Sequence, residues 1–220
     1  MINNLQRAIL LEFGKIPGSE HFYLGGGTAL ALFYLKHRKS NDLDFFASAD
    51  EIIIPFSHRL EEILKEDGMV IQRQRALHSF VELLVNLGNE STIIHLALDT
   101  PFRFEEVKEF PHYPGLKVDS LVDIASNKLL CLFGRANLRD FIDIYLLIRK
   151  GLFSPKELTE KAKKKDPGFD LYWLGVALER IKTFEENSTE MLLLVEPVDF
   201  QDLLAFFGKW KKEIASELKS

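Results

Sequence analysis

The sequence predicts a mixed α/β protein of the α+β type, in which a mixed sheet with flanking helices is followed by an all-helical C-terminal domain. Runs that alternate apolar and polar residues, a pattern typical of half-buried strands, are confined to the first half of the chain. Pro111, Pro114 and Gly115 indicate a loop, and nearly everything after it has helical spacing. We therefore expect two domains, at residues 1–115 and 116–220.

The predicted elements of the first domain alternate between helices and strands and end in three consecutive strands. Short turn sequences at 77–78 and 88–90 separate these last strands and predict antiparallel pairing. In chain order we predict a helix over 5–13, a strand over 21–24, a helix over 28–36, a strand over 42–46, a helix over 55–65, and strands over 69–76, 79–87 and 92–98.

Three glycines, Gly25 to Gly27, lie between the first predicted strand and the helix that follows it. Glycine has no Cβ, so the backbone can turn tightly and approach a ligand closely. The first amide groups of a helix are unpaired and carry the positive end of its dipole, which favours phosphate. We predict that Gly26 and Gly27 hold a phosphate group. Thr28 is predicted to cap the helix and to offer its hydroxyl to a phosphate oxygen.

Two carboxylates, Asp42 and Asp44, lie on the next predicted strand. Residues two apart on a strand point to the same face, so both side chains project together while Leu43 enters the core. Two such carboxylates repel unless a cation lies between them, and oxygen ligands suit Mg²⁺. Glycine loops and Asp-x-Asp pairs are each common without a ligand. Their order on these elements favours a site for a nucleoside triphosphate (NTP) and its metal ions.

The segment from Tyr23 to Phe46 resembles the signature of the AbiEii/AbiGii-type nucleotidyltransferases, toxins of bacterial toxin–antitoxin and abortive-infection systems. They belong to the DNA polymerase β-like nucleotidyltransferase superfamily, whose hallmark is Gly-Ser followed, about one helix later, by Asp-x-Asp or Asp-x-Glu. Here Gly27-Thr28 stands in place of Gly-Ser, as is common in the toxin family. The resemblance covers roughly residues 20–150 and implies the nucleotidyltransferase fold for the sheet-containing domain.

A second block of charged residues carries the same resemblance. The family pattern is a helix with a lysine, an arginine some residues later, and then Arg-Asp-x-x-Asp followed by Leu or Ile. Lys128, Arg135 and the segment Arg139-Asp140-x-x-Asp143 match this pattern. The resemblance implies that Lys128 and Arg135 contact the nucleotide, with Lys128 neutralising the triphosphate. Asp140 and Asp143 would support the site by holding Lys128 or Arg135, or by lining the acceptor side. Ordinary ion pairs on an amphipathic helix are the open alternative.

The resemblance also implies a reaction and a set of partners. The expected enzyme uses two Mg²⁺ ions, held by Asp42 and Asp44, to transfer a nucleoside monophosphate from an NTP to an acceptor. The implied acceptor is the 3′ end of a tRNA, the implied biological role is that of a toxin, and the implied protein partner is a cognate antitoxin. The active site is expected in the cleft between the two domains.

The superfamily normally adds a third carboxylate on a strand beside the Asp-x-Asp strand. Asp99 is our candidate for it, because this residue ends the apolar strand over 92–98. It would complete the second metal site and act on the attacking hydroxyl. An acid that merely starts a turn after a strand is the alternative. Asp119 and Glu82 are weaker candidates.

Two basic features have a functional and an ordinary interpretation. Arg38 lies just before the Asp-x-Asp strand, where it is a candidate phosphate ligand or else a solvated loop arginine. The lysine-rich segment 161–165 is predicted to form a solvated helix face, with a contact to tRNA as the alternative.

Composition excludes several classes of protein. A net charge of −5 argues against a broad nucleic-acid-coating surface, although a local basic groove stays possible. The single cysteine, Cys131, lies in an apolar helical run and is predicted to pack in the core. Six scattered histidines form no zinc-binding pattern. No apolar run approaches the ~18 residues that a membrane span needs. With no targeting pattern at the N-terminus, we expect a cytoplasmic protein.

Three alternatives to the tRNA-modifying toxin stay open at the level of sequence. The first is an enzyme of the same fold that modifies a small molecule, and the second is one that modifies a protein hydroxyl. The third is a catalytically degenerate NTP-binding module that acts through protein contacts. Asp42 and Asp44, together with a candidate third acid, argue against the degenerate module.

Overall fold

The computed structural model describes residues 2–100 and 102–219. The chain divides into two compact units, Met1–Leu121 and Val122–Ser220. The first unit contains all the strands in the described part of the chain, and the second is helical.

The first unit is a seven-stranded sheet with three helices and a short 3₁₀ turn. Its elements are α1 (Asn4–Phe13), the 3₁₀ turn Ser19–His21, β1 (Phe22–Leu24), α2 (Gly26–Ala29, continuing as a π-helix over Leu30–Leu35), β2 (Asp42–Ala47), α3 (Ile53–Glu66), β3 (Val70–Leu77), β4 (Phe80–Leu87), β5 (Glu90–Leu98), β6 (Lys108–Phe110) and β7 (Tyr113–Val118).

The strand order of the sheet is β3-β4-β5-β2-β1-β7-β6. β2 pairs in parallel with β5, and β1 pairs in parallel with β7. The remaining neighbours, including the β3-β4-β5 meander, are antiparallel. The predicted mixed sheet with flanking helices is therefore confirmed.

The two faces of the sheet differ in burial. Buried and half-buried positions alternate along residues 42–47 of β2, 80–86 of β4 and 92–97 of β5. The buried face packs against α1 and α3, where Phe13 stacks on Phe45 with ring centroids 3.7 Å apart and also contacts Phe56. We call the other side the open face; its residues on these three strands are Asp42, Asp44, Phe46, Phe80, Glu82, Leu84, Asn86, Ile93, His95 and Ala97.

The prediction of a loop at 111–115 was wrong, because β6 and β7 form a short antiparallel hairpin there. The pairing of this hairpin is irregular, because its register shifts between Glu109 and Phe110. Gly115 has φ +76°, and a Cβ at this position would lie 2.5 Å from the carbonyl oxygen of Gly14. The glycine that indicated a loop is therefore required where β7 passes close to the end of α1.

The second unit contains α4 to α9. Their bounds are α4 (Leu121–Arg135, which begins at the last residue of the first unit), α5 (Leu138–Arg149), α6 (Pro155–Lys165), α7 (Leu171–Glu179), the 3₁₀ turn Arg180–Thr183, α8 (Thr189–Leu192) and α9 (Phe200–Glu217). Phe141 of α5 and Phe207 of α9 pack edge to face in its core, with ring centroids 4.9 Å apart. Among residues 2–100 and 102–219, no helix has both the length and the apolarity needed to cross a membrane.

Candidate functional site

The glycine loop packs directly against the second carboxylate of the Asp-x-Asp pair. Gly25 donates its backbone N–H to the carbonyl oxygen of Asp44 at 2.8 Å, which ties the loop to β2. Gly26 has φ +63°, a left-handed conformation that favours glycine. A Cβ on Gly26 would overlap the Asp44 carboxylate. The loop therefore needs glycine for its conformation and for the close approach to Asp44.

Thr28 has a different local role from the one predicted. The N-cap of α2 is Gly25, so the assignment of Thr28 as the N-cap was wrong. Thr28 is fully buried, and its hydroxyl donates to the backbone carbonyl of Asp42. This bond joins α2 to the start of β2 and so helps to position the carboxylate pair. A contact between Thr28 and phosphate stays a prediction.

Arg38 lies against the glycine loop rather than in solvent. Only 5% of the residue is exposed, and its guanidinium donates to the carbonyl of Lys39 at 3.1 Å. A Cβ on Gly27 would lie 2.6 Å from one terminal nitrogen of this guanidinium. The interpretation of Arg38 as a solvated loop residue was therefore wrong. A fixed positive charge beside the glycines is well suited to a phosphate group.

Asp42 and Asp44 lie on the open face of β2, both half-buried. Their Cα atoms are about 7 Å apart along the strand, given the usual rise of a strand. The Asp44 side chain is 27% exposed, so a ligand from solvent can reach it. The predicted pairing of these two carboxylates on one face is confirmed.

His95 and Glu82 extend this carboxylate pair across the sheet. In register, His95 of β5 lies opposite Asp44 of β2 and also opposite Glu82 of β4. The His95 Nδ1 is 2.8 Å from Asp44 Oδ1, and its Nε2 is 3.5 Å from Glu82 Oε2. Burial alone lowers the pKa of His95. The hydrogen bond to Asp44 and the negative charges of Asp44, Asp42 and Glu82 outweigh burial, so its pKa lies above the ordinary value.

His95 was not among the predicted site residues. The only sign of it in the sequence is that a polar residue interrupts the apolar strand β5. His95 lies between Ile94 and Leu96, which are both buried. That pattern indicates a special position but does not say which residue of β2 it faces. The pairing with Asp44 is known only from the register of the parallel β2–β5 ladder.

The structure does not bring Asp99 to the carboxylate pair. Asp44 is level with His95, whereas Asp99 follows the end of β5 and donates its backbone N–H to the Ala47 carbonyl. This offset of four residues is about 13 Å along the strands. Asp99 instead accepts a hydrogen bond from the hydroxyl of Tyr23. Its role as a third metal ligand stays a prediction, and the register argues against it.

The alternative acid Asp119 lies beside the glycine loop, where one of its carboxylate oxygens would be 3.8 Å from a Cβ on Gly25. It is 2% exposed and forms an ion pair with Arg103. The Arg103 guanidinium lies over the ring of Tyr23, 4.2 Å from the centroid. The phenol of Tyr23 loses hydration by burial and bonds to Asp99, and both effects raise its pKa. These contacts form one cluster beside β1, next to the glycine loop. A role of Asp119 as a metal ligand stays a prediction.

The four predicted residues of the second unit form one ion-pair cluster, in which three side chains are buried and that of Arg135 is 44% exposed. Lys128 Nζ lies 2.7 Å from Asp143 and 3.5 Å from Asp140. Arg135 makes two hydrogen bonds to Asp140, at 2.8 and 2.9 Å. Both carboxylates are fully buried, and Lys128 is nearly so. The two acids thus contact Lys128 and Arg135, as one of the predicted alternatives requires, while a contact of any of the four with nucleotide stays a prediction.

The lysine-rich segment is not uniformly solvated. Lys165 is 3% exposed and pairs with fully buried Asp123 at 2.9 Å. The prediction of a solvated face is therefore wrong for this lysine. Lys163 and Lys164 are exposed on α6, as predicted.

The carboxylate pair fits magnesium without a third protein ligand. In the described part of the chain, no group of three or more His, Cys, Asp or Glu side chains could hold a metal ion. Mg²⁺ usually keeps several waters and is bound through one or two carboxylates together with substrate phosphates. Asp42 and Asp44, half-buried on one face, provide such a set beside the glycine loop.

The chain is similar to a known protein family over most of its length. Residues 8–209 match the model of the family described as "Nucleotidyl transferase AbiEii toxin, Type IV TA system". The chain belongs to this family. The AbiEii match spans both units, so it includes the open face and the buried cluster.

Individual proteins are similar to this chain over nearly its whole length. An uncharacterised protein of Aquifex aeolicus (strain VF5), aq_aa25, is 30% identical over 219 residues, covering 94% of this chain and 95% of the relative. The crystal structure of a candidate nucleotidyltransferase from H. pylori matches with a TM-score of 0.59 and 20% identity, covering 98% of this chain and 93% of the other. MenT4, the nucleotidyltransferase toxin Rv2826c of Mycobacterium tuberculosis H37Rv, matches with a TM-score of 0.52 and 16% identity, covering 96% and 85%. At these identities the two structures show a shared fold.

Proposed function

We propose that this AbiEii-family protein transfers a nucleoside monophosphate from an NTP to the 3′ end of a tRNA, with magnesium, and that a cognate antitoxin restrains it. The observation that carries the proposal is the half-buried pair Asp42 and Asp44, held against a glycine loop whose conformation only glycine favours. Family membership supports the transferase class and the toxin role.

In the proposed reaction, an oxygen of the acceptor hydroxyl forms a bond to the α-phosphorus of the NTP. The bond from that phosphorus to the oxygen bridging to the β-phosphate breaks, pyrophosphate leaves, and the hydroxyl proton is released. Magnesium, when bound, would neutralise charge on the phosphates and favour the attacking oxyanion. Asp42 and Asp44 would hold it, while Gly26, Gly27 and Arg38 would position the phosphates.

The remaining residues would act around this centre. His95 donates to Asp44 and so would fix the orientation of that carboxylate. Thr28 fixes the start of β2 through the Asp42 carbonyl. Both are positioning roles, because neither contact is with a reacting atom.

Label transfer from each of four α-labelled NTPs into bulk tRNA and cell protein, with magnesium, tests the proposal. Asp44→Asn should lower transfer by at least about 100-fold, the usual cost of losing one group that stabilises charge in a transition state. Asp67→Asn removes an exposed carboxylate at the end of α3 and is the matched control. Label in protein would replace the acceptor. Equal transfer by wild type and Asp44→Asn would contradict the proposed site.

A further inference from the structure

One row of four side chains crosses the open face from the carboxylate pair to the edge of the sheet. In register, Asp44 lies opposite His95, His95 opposite Glu82, and Glu82 opposite Arg75 of the edge strand β3. Three strand spacings separate Arg75 from Asp44, which is about 14 Å. The row thus leads from the proposed reaction centre to an exposed arginine.

A β-bulge places Arg75 on this face. The β3–β4 register shifts between Arg73 and Arg75. Arg73 lies opposite buried Leu83 and reaches Glu61 of α3 at 2.7 Å, so it lies on the buried face. Without the shift, Arg75 would share that face, since residues two apart on a strand do so. Bulges often re-aim side chains next to functional sites.

Aromatic rings lie on the open face beside this row. Phe80 of β4 lies next to His95, with ring centroids 5.5 Å apart, and is half-buried. Phe46 of β2 is also half-buried. Ala97 of β5 lies between them in register, opposite both phenylalanines. Because alanine has only a methyl group, it covers little of the half-buried Phe80 ring, whereas the Phe46 ring stacks on Tyr23 of β1.

We propose that the open face of β3, β4 and β5 binds the single-stranded 3′ end of a nucleic-acid acceptor, with RNA as the substrate. Arg75 would contact a backbone phosphate, and Phe80 would stack with a base. This inference rests on the proposed transferase function and names the path by which its acceptor reaches Asp44.

The charge of Arg75 and the aromatic side chains beside it favour a single-stranded nucleic acid on this face. The side chain of Arg75 makes no hydrogen bond or ion pair to another described residue, so its charge is available to a phosphate. Glu82 is the one acid in the row between Arg75 and His95, and His95 lies 3.5 Å from its carboxylate. Aromatic side chains bind single strands of any sequence because every base has a π-face. A basic residue beside such rings is the usual combination in single-strand binding.

The test is fluorescence anisotropy of the full chain with a labelled RNA hairpin that has a single-stranded 3′ tail, and with the same hairpin lacking the tail. Arg75→Glu is compared with Arg7→Glu, an exposed arginine of α1 on the opposite side of the sheet. Phe80→Leu removes the ring but keeps an apolar side chain, and Phe80→Tyr keeps the ring. Affinities are measured at several salt concentrations without NTP.

We expect wild type to prefer the tailed hairpin by about tenfold or more. Arg75→Glu should weaken its binding by about tenfold and reduce the salt slope by about one, whereas Arg7→Glu should bind as wild type. Phe80→Leu should weaken binding about fivefold or more, and Phe80→Tyr should restore it. Equal affinity for both hairpins, or equal loss in Arg75→Glu and Arg7→Glu, would overturn the inference.

RNA binding and label transfer together distinguish a failure of this inference from a failure of the proposed function. If wild type prefers the tailed RNA through Arg75 and Phe80 but transfers no label from any NTP, the acceptor surface stands and the transferase proposal fails. If it transfers label to RNA equally well after Arg75→Glu and Phe80→Leu, the transferase stands and this acceptor path fails.

Discussion

The carboxylate pair of the first unit and the ion-pair cluster of the second differ in how far solvent reaches their carboxylates. Asp140 and Asp143 are fully buried and bond to Lys128 and Arg135, of which only Arg135 is substantially exposed. On the open face, Asp44 bonds to His95, and its side chain is still 27% exposed. Carboxylates that are buried among their partners indicate a structural role, whereas an accessible carboxylate pair beside a glycine loop indicates a cation site.

Breaking the buried cluster should have the largest effect. Asp143→Asn removes the closest partner of Lys128 and leaves a poorly compensated charge in the interior. We expect the free energy of unfolding to fall by about 3–5 kcal/mol, as when one partner of a buried ion pair is removed. Urea unfolding measures this, with exposed Glu186→Gln as the control. A loss of under about 0.5 kcal/mol, typical of a surface substitution, would show that the cluster does not stabilise the fold.

A substitution in the glycine loop should lower label transfer more than its effect on stability explains. Gly26→Ala imposes a left-handed conformation on alanine and pushes its methyl into the Asp44 carboxylate. Gly68→Ala is the matched control, because Gly68 has φ +81° but nothing within 4 Å of an added Cβ. Both variants should lose about 1–2 kcal/mol of stability from backbone strain. Only Gly26→Ala should also lose label transfer, by about 100-fold. Equal activity of the two would show that the loop does not position Asp44 for catalysis.

The smallest expected effect is a pH dependence from a surface ion pair. Hydrogen bonds from Lys182 and Lys211 lower the pKa of Glu179 to about 2, from an ordinary value of 4.5. A carboxyl whose folded pKa is lowered stabilises the fold above its unfolded pKa, and this stabilisation is lost as pH falls from 4.5 towards 2. Glu179→Gln should therefore flatten the stability profile in that window. Glu213→Gln, on the same helix as Lys211, should leave it unchanged, and an identical slope in both would contradict the assignment.

Local patterns predicted most of the fold and part of the site. The alternation of residues along β2 was enough to place Asp42 and Asp44 on one face, because side-chain direction on a strand has period two. The β6–β7 hairpin was missed because Gly115 serves a close approach to Gly14, a contact between distant segments.

What the sequence did not predict depends on register between strands. His95 rather than Asp99 faces Asp44, and an apolar strand with one histidine and a terminal acid is compatible with either arrangement. Likewise, Arg75 lies on the open face only because of a bulge that has no clear local signal. These placements are set by long-range pairing, which composition and spacing do not specify.

The central claim is that Asp42 and Asp44 form a cation site that works with bound NTP. The most direct test is urea unfolding of wild type, Asp42→Asn and the control Asp67→Asn, each with and without magnesium plus a non-hydrolysable NTP analogue. Ligand at about 100 times its Kd should stabilise wild type and Asp67→Asn by about 2.7 kcal/mol. Asp42→Asn should gain much less from the ligand, because the substitution removes one of the two carboxylates that would hold magnesium. The same ligand-induced stabilisation in all three proteins would contradict the claim.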